Sequence, residues 1–134
     1  FGQLGFFHKF AGREIEDKRP FERYRAETER LLKVLDQQLE GQDWMVGDYS
    51  IADIATAPWV RTVTGFYEAG DLVGWDKLRN VPGWMERFLA RPAVQRGRMV
   101  NRTFGDPASQ LRERHDASDF EIRTQDKLEP AGES

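Results

Sequence analysis

The apolar residues near the start of the chain recur at three- or four-residue intervals, as on one side of an α-helix. This apolar stripe consists of Phe1, Leu4, Phe7 and Ala11, and it is widened by Phe6 and Phe10. The pattern predicts a helix over residues 1–11 that ends near Gly12. A polar loop over residues 13–19 is expected to follow it.

A longer amphipathic helix is predicted between Pro20 and Gly41, because proline suits a first helical turn and glycine suits a helix end. One side carries Phe21, Tyr24, Thr28, Leu31, Leu32, Leu35 and Leu39. The other side is charged. We therefore expect this helix to pack one face against a core.

The four residues Ser-Ile-Ala-Asp at 50–53 predict the start of a third helix. Ser50 and Asp53 have the spacing of a capping box. In this motif the Ser50 side chain accepts a hydrogen bond from the Asp53 backbone amide, and the Asp53 side chain accepts one from the Ser50 backbone amide. They could also be misread as a catalytic pair, but no histidine adjoins them to act as a base. We interpret them as a structural N-cap. The expected inward face consists of Ile51, Ile54, Ala55, Pro58, Trp59 and Thr62.

Two shorter helices complete the predicted fold, over residues 81–90 and from Pro92 to about Arg98. The first would bury Trp84, Met85, Phe88 and Leu89. No long stretch alternates with a period of two, so the fold class is all-α, a bundle of about five helices. Apolar residues thin out after Thr103. We therefore expect a helical domain over residues 1–104 and a polar C-terminal extension over 105–134.

Composition narrows the function classes. The 134 residues are enough for one domain with a core, and the net charge of −3 gives no general attraction to nucleic acid or to an anionic membrane. The chain has no cysteine, hence no thiolate metal site. No apolar run approaches the roughly 20 residues that span a bilayer. No acidic or histidine pattern has metal-ligand spacing, so we expect no bound metal.

Two motifs resemble the C-terminal domain of glutathione transferases. Residues 46–55 read Val-Gly-Asp-Tyr-Ser-Ile-Ala-Asp-Ile-Ala and are similar to the family pattern Gly-x-x-Ser/Thr-x-Ala-Asp. Residues 84–94 contain Trp-Met-Glu-Arg and Arg-Pro-Ala-Val, similar to a second family pattern. Gly-Gln-Leu at 2–4, Glu-Arg-Tyr at 22–24 and residues 113–120 further resemble the bacterial nu class.

This resemblance implies a chain that starts within the first helix of its domain and lacks an N-terminal thioredoxin-like domain. It also implies a cytoplasmic homodimer that uses glutathione as a substrate, with a small electrophile or a disulfide as the second reactant. Transferase and disulfide-bond reductase activity are both open. The chain would form the wall of the second-substrate pocket and part of the dimer interface, with no catalytic residue of its own.

The resemblance also assigns binding residues. Arg23 matches the arginine of the family's Glu-Arg-Tyr motif and would contact glutathione, although a surface arginine on a charged helix face remains the alternative. Phe6, Phe7 and Phe10 lie on the helix that lines the second-substrate pocket in this family. Core or dimer packing is the other interpretation of these three rings.

A different class of function stays open. Helical domains of this type also occur as non-catalytic protein-interaction modules, and a fold alone does not decide between the two. A third possibility is a stand-alone helical domain with its own small-molecule pocket.

Overall fold

The computed structural model describes residues 1–99, and the regular elements of that part are all helices. They are α1 (Gly2–Lys9), α2 (Arg19–Gln38), α3 (Ile51–Gly65), α4 (Val81–Ala90) and α5 (Pro92–Gly97). Short 3₁₀ turns lie at Ala11–Glu14, Asp71–Val73 and Trp75–Lys77. The predicted all-α class with about five helices is therefore confirmed for this part. The predicted boundary at residue 104 and the extension 105–134 lie outside the described residues.

The chain divides into two compact units, Phe1–Glu86 and Arg87–Ser134. The first contains α1, α2, α3 and the start of α4. The described part of the second contains the end of α4 and α5, which starts with a proline in its first turn. Proline fits there because the first amide groups of a helix have no partner within the helix.

Helix α2 follows the predicted pattern closely. Thr28, Leu32, Leu35 and Leu39 are buried, and Phe21, Tyr24 and Leu31 are half-buried beside them. Four basic residues of the opposite side form ion pairs, mostly with carboxylates three or four positions away on the same helix. The separation of an apolar and a charged face determines which side of α2 faces the core.

The predicted inward face of α3 is wrong. Its buried residues are Asp53, Ala57, Val60 and Val63, which recur at three- and four-residue intervals. By contrast, Ile51 is 83% exposed, Ile54 49% and Trp59 54%. Both sides of this helix are apolar, so periodicity could not decide which one packs.

The buried carboxylate of Asp53 explains the orientation of α3. Trp84 Nε1 donates to Asp53 Oδ1 at 2.8 Å, and the Met45 amide donates to the same oxygen at 3.1 Å. The Ser50 amide donates to Asp53 Oδ2 at 3.0 Å, which together with the bond from the Ala52 amide to Ser50 Oγ forms a capping box. Burial raises the pKa of Asp53, but these hydrogen bonds outweigh it, so the pKa lies below its ordinary value.

A second carboxylate, Asp36 of α2, satisfies the start of α4. It accepts hydrogen bonds from the amides of Arg79, Asn80 and Val81 at 3.2, 2.8 and 2.9 Å. Amides in the first turn of a helix have no partner within the helix, so an acceptor from another segment stabilises it. Burial raises the pKa of Asp36, yet the three backbone hydrogen bonds bring it below the ordinary value.

Helix α1 lies unusually close to the segment that follows α3. A Cβ atom built on Gly5 would lie 2.2 Å from Cζ of Tyr67, whose side chain is buried. One turn further on, Lys9 Nζ donates to the Phe66 carbonyl oxygen at 2.6 Å and forms an ion pair with Glu68 at 2.7 Å. These contacts fix the position of α1, on which Phe6 and Phe7 lie, and Phe10 follows directly after its end.

Candidate functional site

The exposed side of α2 carries a groove of about 480 Å³ that is lined by Arg23, Tyr24, Ala26, Glu27 and Arg30. Among residues 1–99, Arg23 has neither an ion pair nor a side-chain hydrogen bond. A guanidinium group offers five N–H donors in a planar fork that matches a carboxylate. In the described part of the chain, the groove therefore presents a guanidinium with no hydrogen-bond acceptor of its own, which suits an anionic ligand group.

The other basic side chains of α2 are occupied, so the free state of Arg23 stands out. Arg25 pairs with Glu22 and Glu29 and also donates to the Leu72 carbonyl oxygen at 3.2 Å. Arg19 pairs with Asp17, and Lys33 pairs with Glu29. Among residues 1–99, Arg23 is thus the basic side chain of α2 that forms no ion pair.

Glu27 and Arg30 form the opposite end of the groove. Arg30 donates from Nε and Nη2 to the two oxygens of Glu27 at 2.8 and 2.7 Å. The hydrogen bond from Arg30 is the main reason that the pKa of Glu27 lies below its ordinary value, and the nearby Arg23 contributes. The groove consequently contains an ionised carboxylate beside its free cation.

Among the described residues, the three phenylalanines predicted for a second-substrate pocket have different neighbours. Phe6 is 44% exposed and lines a cavity of about 580 Å³ together with Phe1, Gly2, Gln3 and Trp59. Phe7 is half-buried and stacks on Tyr24, with ring centroids 5.6 Å apart. Phe10 is 46% exposed and lies against Phe66 and Tyr67. Of the three, Phe6 alone borders the cavity, and Phe7 borders the ring that forms one wall of the Arg23 groove.

Trp59, which was predicted to face the core, is 54% exposed and becomes a candidate site residue. It lines the cavity beside Phe6 because α3 turns the side opposite to Asp53 outward. The signal available in the sequence was the apolar character of both sides of α3, which is typical of a helix covered on both sides.

The family model for the glutathione S-transferase C-terminal domain matches residues 3–92 of the chain. The chain belongs to this family. Disulfide-bond oxidoreductase YghU of Escherichia coli strain K12 is 44% identical over 129 residues, which are 94% of this chain and 44% of that protein. Disulfide-bond oxidoreductase YfcG of the same strain is 40% identical over 89 residues, covering 66% of this chain and 39% of that protein.

Solved glutathione transferase structures are also similar to this domain. A glutathione transferase from Pseudomonas putida, crystallised with one glutathione disulfide per subunit, has a TM-score of 0.73 and 54% identity over 75% of this chain and 44% of its own. A glutathione transferase from Burkholderia graminis, with two glutathione molecules bound per subunit, has a TM-score of 0.73 and 60% sequence identity. The match covers 77% of this chain and 43% of that chain. The chain spans less than half the length of these proteins.

Other groups near the site have structural partners. His8 is half-buried with its ring stacked against that of Phe21, the ring centroids being 6.3 Å apart.

In the described part of this glutathione transferase domain, His, Asp and Glu side chains do not form a group that could hold a metal ion. Over the same residues, no helix combines the length and the apolar character that a membrane crossing requires.

Proposed function

We propose that this chain is the helical domain of a glutathione-dependent enzyme, either a glutathione transferase or a disulfide-bond reductase, that works as a homodimer in the cytoplasm. The observation that carries the proposal is the guanidinium of Arg23, which lies in a groove and forms no ion pair with any of residues 1–99, in a chain from this family. The disulfide-bond oxidoreductase names of the relatives and the glutathione in the similar structures support it. The cytoplasm is where glutathione is kept reduced.

In this proposal the role of Arg23 is to hold glutathione by a carboxylate. Two parallel N–H···O bonds between a guanidinium and a carboxylate fix both position and orientation. The nucleophile is the thiolate of glutathione, which attacks a small electrophile or one sulfur of a disulfide. This chain has no cysteine, and we assign no catalytic residue to it. The group that stabilises the thiolate would belong to a thioredoxin-like domain of the intact enzyme.

The exposed face of α3 supports a covering domain of this kind. Ile51, Ile54 and Trp59 are about half or more exposed although the opposite side of the same helix is fully buried. A helix that is apolar all round is normally covered on all sides. Packing of the thioredoxin-like domain on this face would cover the outward residues of α3.

The second substrate would contact the aromatic residues of α1. Phe6 and Trp59 supply apolar walls to the cavity at the start of α1. Apolar walls with few polar groups suit a small electrophile or an organic disulfide. Phe7 would support the pocket indirectly, because its ring stacks on Tyr24. Phe10 would extend the apolar surface that the second substrate contacts toward Phe66.

The test is calorimetric binding of glutathione and glutathione disulfide to the intact protein and to its Arg23→Ala variant. Loss of the charge-assisted bonds should weaken binding by about 1.5–3 kcal/mol. Arg19→Ala is the matched control, because Arg19 lies on the same helix but pairs with Asp17. If the intact protein binds neither compound, the enzyme proposal fails and an interaction module becomes the better hypothesis.

A further inference from the structure

We propose that Lys9 and Glu68 are positioning residues for the second substrate: their ion pair holds the end of α1 against the turn after α3 and so sets the separation of Phe6 and Trp59. This inference rests on the proposed function, which assigns the cavity beside those two rings to a small electrophile or a disulfide. It adds two residues that act through the helix carrying Phe6 rather than by touching the ligand.

The backbone of Glu68 has a conformation that glycine adopts more easily. Its φ is 56°, and among residues 1–99 the other positive φ angles belong to glycines. Glu68 lies in the turn after α3, which is closed by a hydrogen bond from the Ala69 amide to the Val63 carbonyl oxygen at 3.0 Å. Glycine is the usual left-handed residue at a helix end because it has no Cβ atom to clash. The stability of the turn therefore does not explain why a glutamate stands here.

The carboxylate of Glu68 has its partner on α1. Lys9 Nζ lies 2.7 Å from Glu68 Oε2, donates to the Phe66 carbonyl oxygen at 2.6 Å and lies 5.1 Å from the centre of the Phe66 ring. Phe66 caps the C-terminal end of α3, where the helix dipole favours a cation. The Glu68 side chain is 76% exposed, and an exposed ion pair contributes little to stability. The contacts of Lys9 thus determine how the end of α1 is oriented more than how stable the fold is.

The position of α1 determines where Phe6 lies. Phe6 and Lys9 are three residues apart on a helix of eight residues, about 12 Å long, and so lie on one side of it. Phe6 lines the cavity together with Trp59, which belongs to α3. The two helices therefore supply one aromatic wall each, and the ion pair joins their ends. A shift of α1 relative to α3 would change the width of the cavity.

The experiment combines steady-state kinetics and thermal melting of the intact protein and its Glu68→Gly variant. The second substrate is bis(hydroxyethyl) disulfide with glutathione as the reductant, or chlorodinitrobenzene if the protein does not reduce the disulfide. Glycine removes the ion pair but suits the positive φ, so Tm should rise or stay within about 2 °C of the wild type. The KM for the second substrate should rise about threefold or more, and the KM for glutathione should stay within about twofold.

Two further variants test whether the effect belongs to the ion pair. Lys9→Met keeps an apolar stem beside Phe66 and should raise the KM for the second substrate in the same way. Glu68→Gly should then cause no additional rise in the Lys9→Met background, because the pair is already broken. Arg19→Ala removes an exposed ion pair at the start of α2 and should change neither KM.

Amide hydrogen exchange provides a readout that does not need activity. The amides of Phe6 and Phe7 should exchange about tenfold faster in Glu68→Gly than in the wild type, because opening of α1 no longer breaks the ion pair. Exchange at the same amides should be unchanged in Arg19→Ala.

The outcomes separate this inference from the proposed function. An unchanged KM for the second substrate in Glu68→Gly overturns the inference and leaves the proposed function standing. A KM that rises only together with a larger fall in Tm also overturns the inference, because it reports a loss of folding. A wild type that acts on neither compound overturns the proposed function. In that case the exchange rates still test the ion pair, and unaltered rates in Glu68→Gly overturn its role in holding α1.

Discussion

The close approach of Gly5 to Tyr67 makes Gly5→Ala an informative perturbation. The added methyl group would lie 2.2 Å from Cζ, 2.3 Å from Cε1 and 2.7 Å from Cε2 of the tyrosine ring. Carbon atoms in contact normally lie about 3.5–4.0 Å apart. The ring of Tyr67 is buried, so it cannot swing into solvent to relieve the overlap.

Two opposing effects determine how much Gly5→Ala changes the free energy of unfolding. Alanine is favoured over glycine within a helix by about 0.5–1 kcal/mol. Forcing an extra methyl group into a packed interior destabilises a protein by about 1–3 kcal/mol. The overlap here extends over three ring atoms, which places the steric term near the upper end. We expect a net loss of about 1–2 kcal/mol, or a fall in Tm of about 3–10 °C for a chain of this length.

The assay is urea unfolding followed by circular dichroism, with Gly2→Ala as the control. A Cβ atom on Gly2 of the same helix would meet Trp59 at 3.9 Å, an ordinary contact, so that variant should not be destabilised. In the background of Tyr67→Ala, the loss caused by Gly5→Ala should disappear, because the obstructing ring is gone. A Gly5→Ala protein as stable as the wild type, or a loss that persists without the ring, would refute the reasoning.

Other predictions concern the carboxylates of Asp53 and Asp36. Asp53→Asn should lower the free energy of unfolding, measured in urea, by about 2–4 kcal/mol, because an amide cannot accept hydrogen bonds from all the donors that contact the carboxylate. The control Asp48→Asn, at an exposed position, should change the free energy of unfolding by no more than about 0.5 kcal/mol. The folded pKa of Asp53 is below the unfolded value. Its stabilisation is therefore complete above about pH 4 and is lost as the pH falls through the folded pKa, so Tm should drop on acidification, less steeply in Asp53→Asn. Asp36→Ala should lose about 1–2 kcal/mol in the same urea assay, as expected for removing a cap; an unchanged midpoint would show that the α4 amides do not depend on it.

The orientation of α2 could be predicted because its sequence separates apolar from charged positions. Leu32 and Leu35 lie on one side, and the ion-paired residues lie on the other. The orientation of α3 could not be predicted in the same way. Ile51 and Ile54 on one side are as apolar as Val60 on the other, and the choice depends on the bond between Asp53 and Trp84, 31 positions away. Periodicity within a helix contains no information about such a distant partner.

The candidate site shows the same limit at short range. Four-residue spacing on a helix favours a pair between Arg23 and Glu27, which would leave Arg23 an ordinary surface residue. The structure instead pairs Glu27 with Arg30, three positions on, through two hydrogen bonds. Two arginines compete for one carboxylate, and side-chain geometry decides between them. The sequence could therefore not predict that Arg23 has no ion pair among residues 1–99.

Asp36 also has a consequence for cooperativity in folding. Its carboxylate joins α2 to the start of α4 across more than forty residues of chain. Local opening that frays the first turn of α4 must release the same hydrogen bonds that connect it to α2. The amide hydrogens of Asn80 and Val81 should then exchange with solvent as slowly as those in the middle of α2, rather than at the fast rate typical of a helix end. We therefore expect α2 and the first turn of α4 to unfold together although they are distant in sequence.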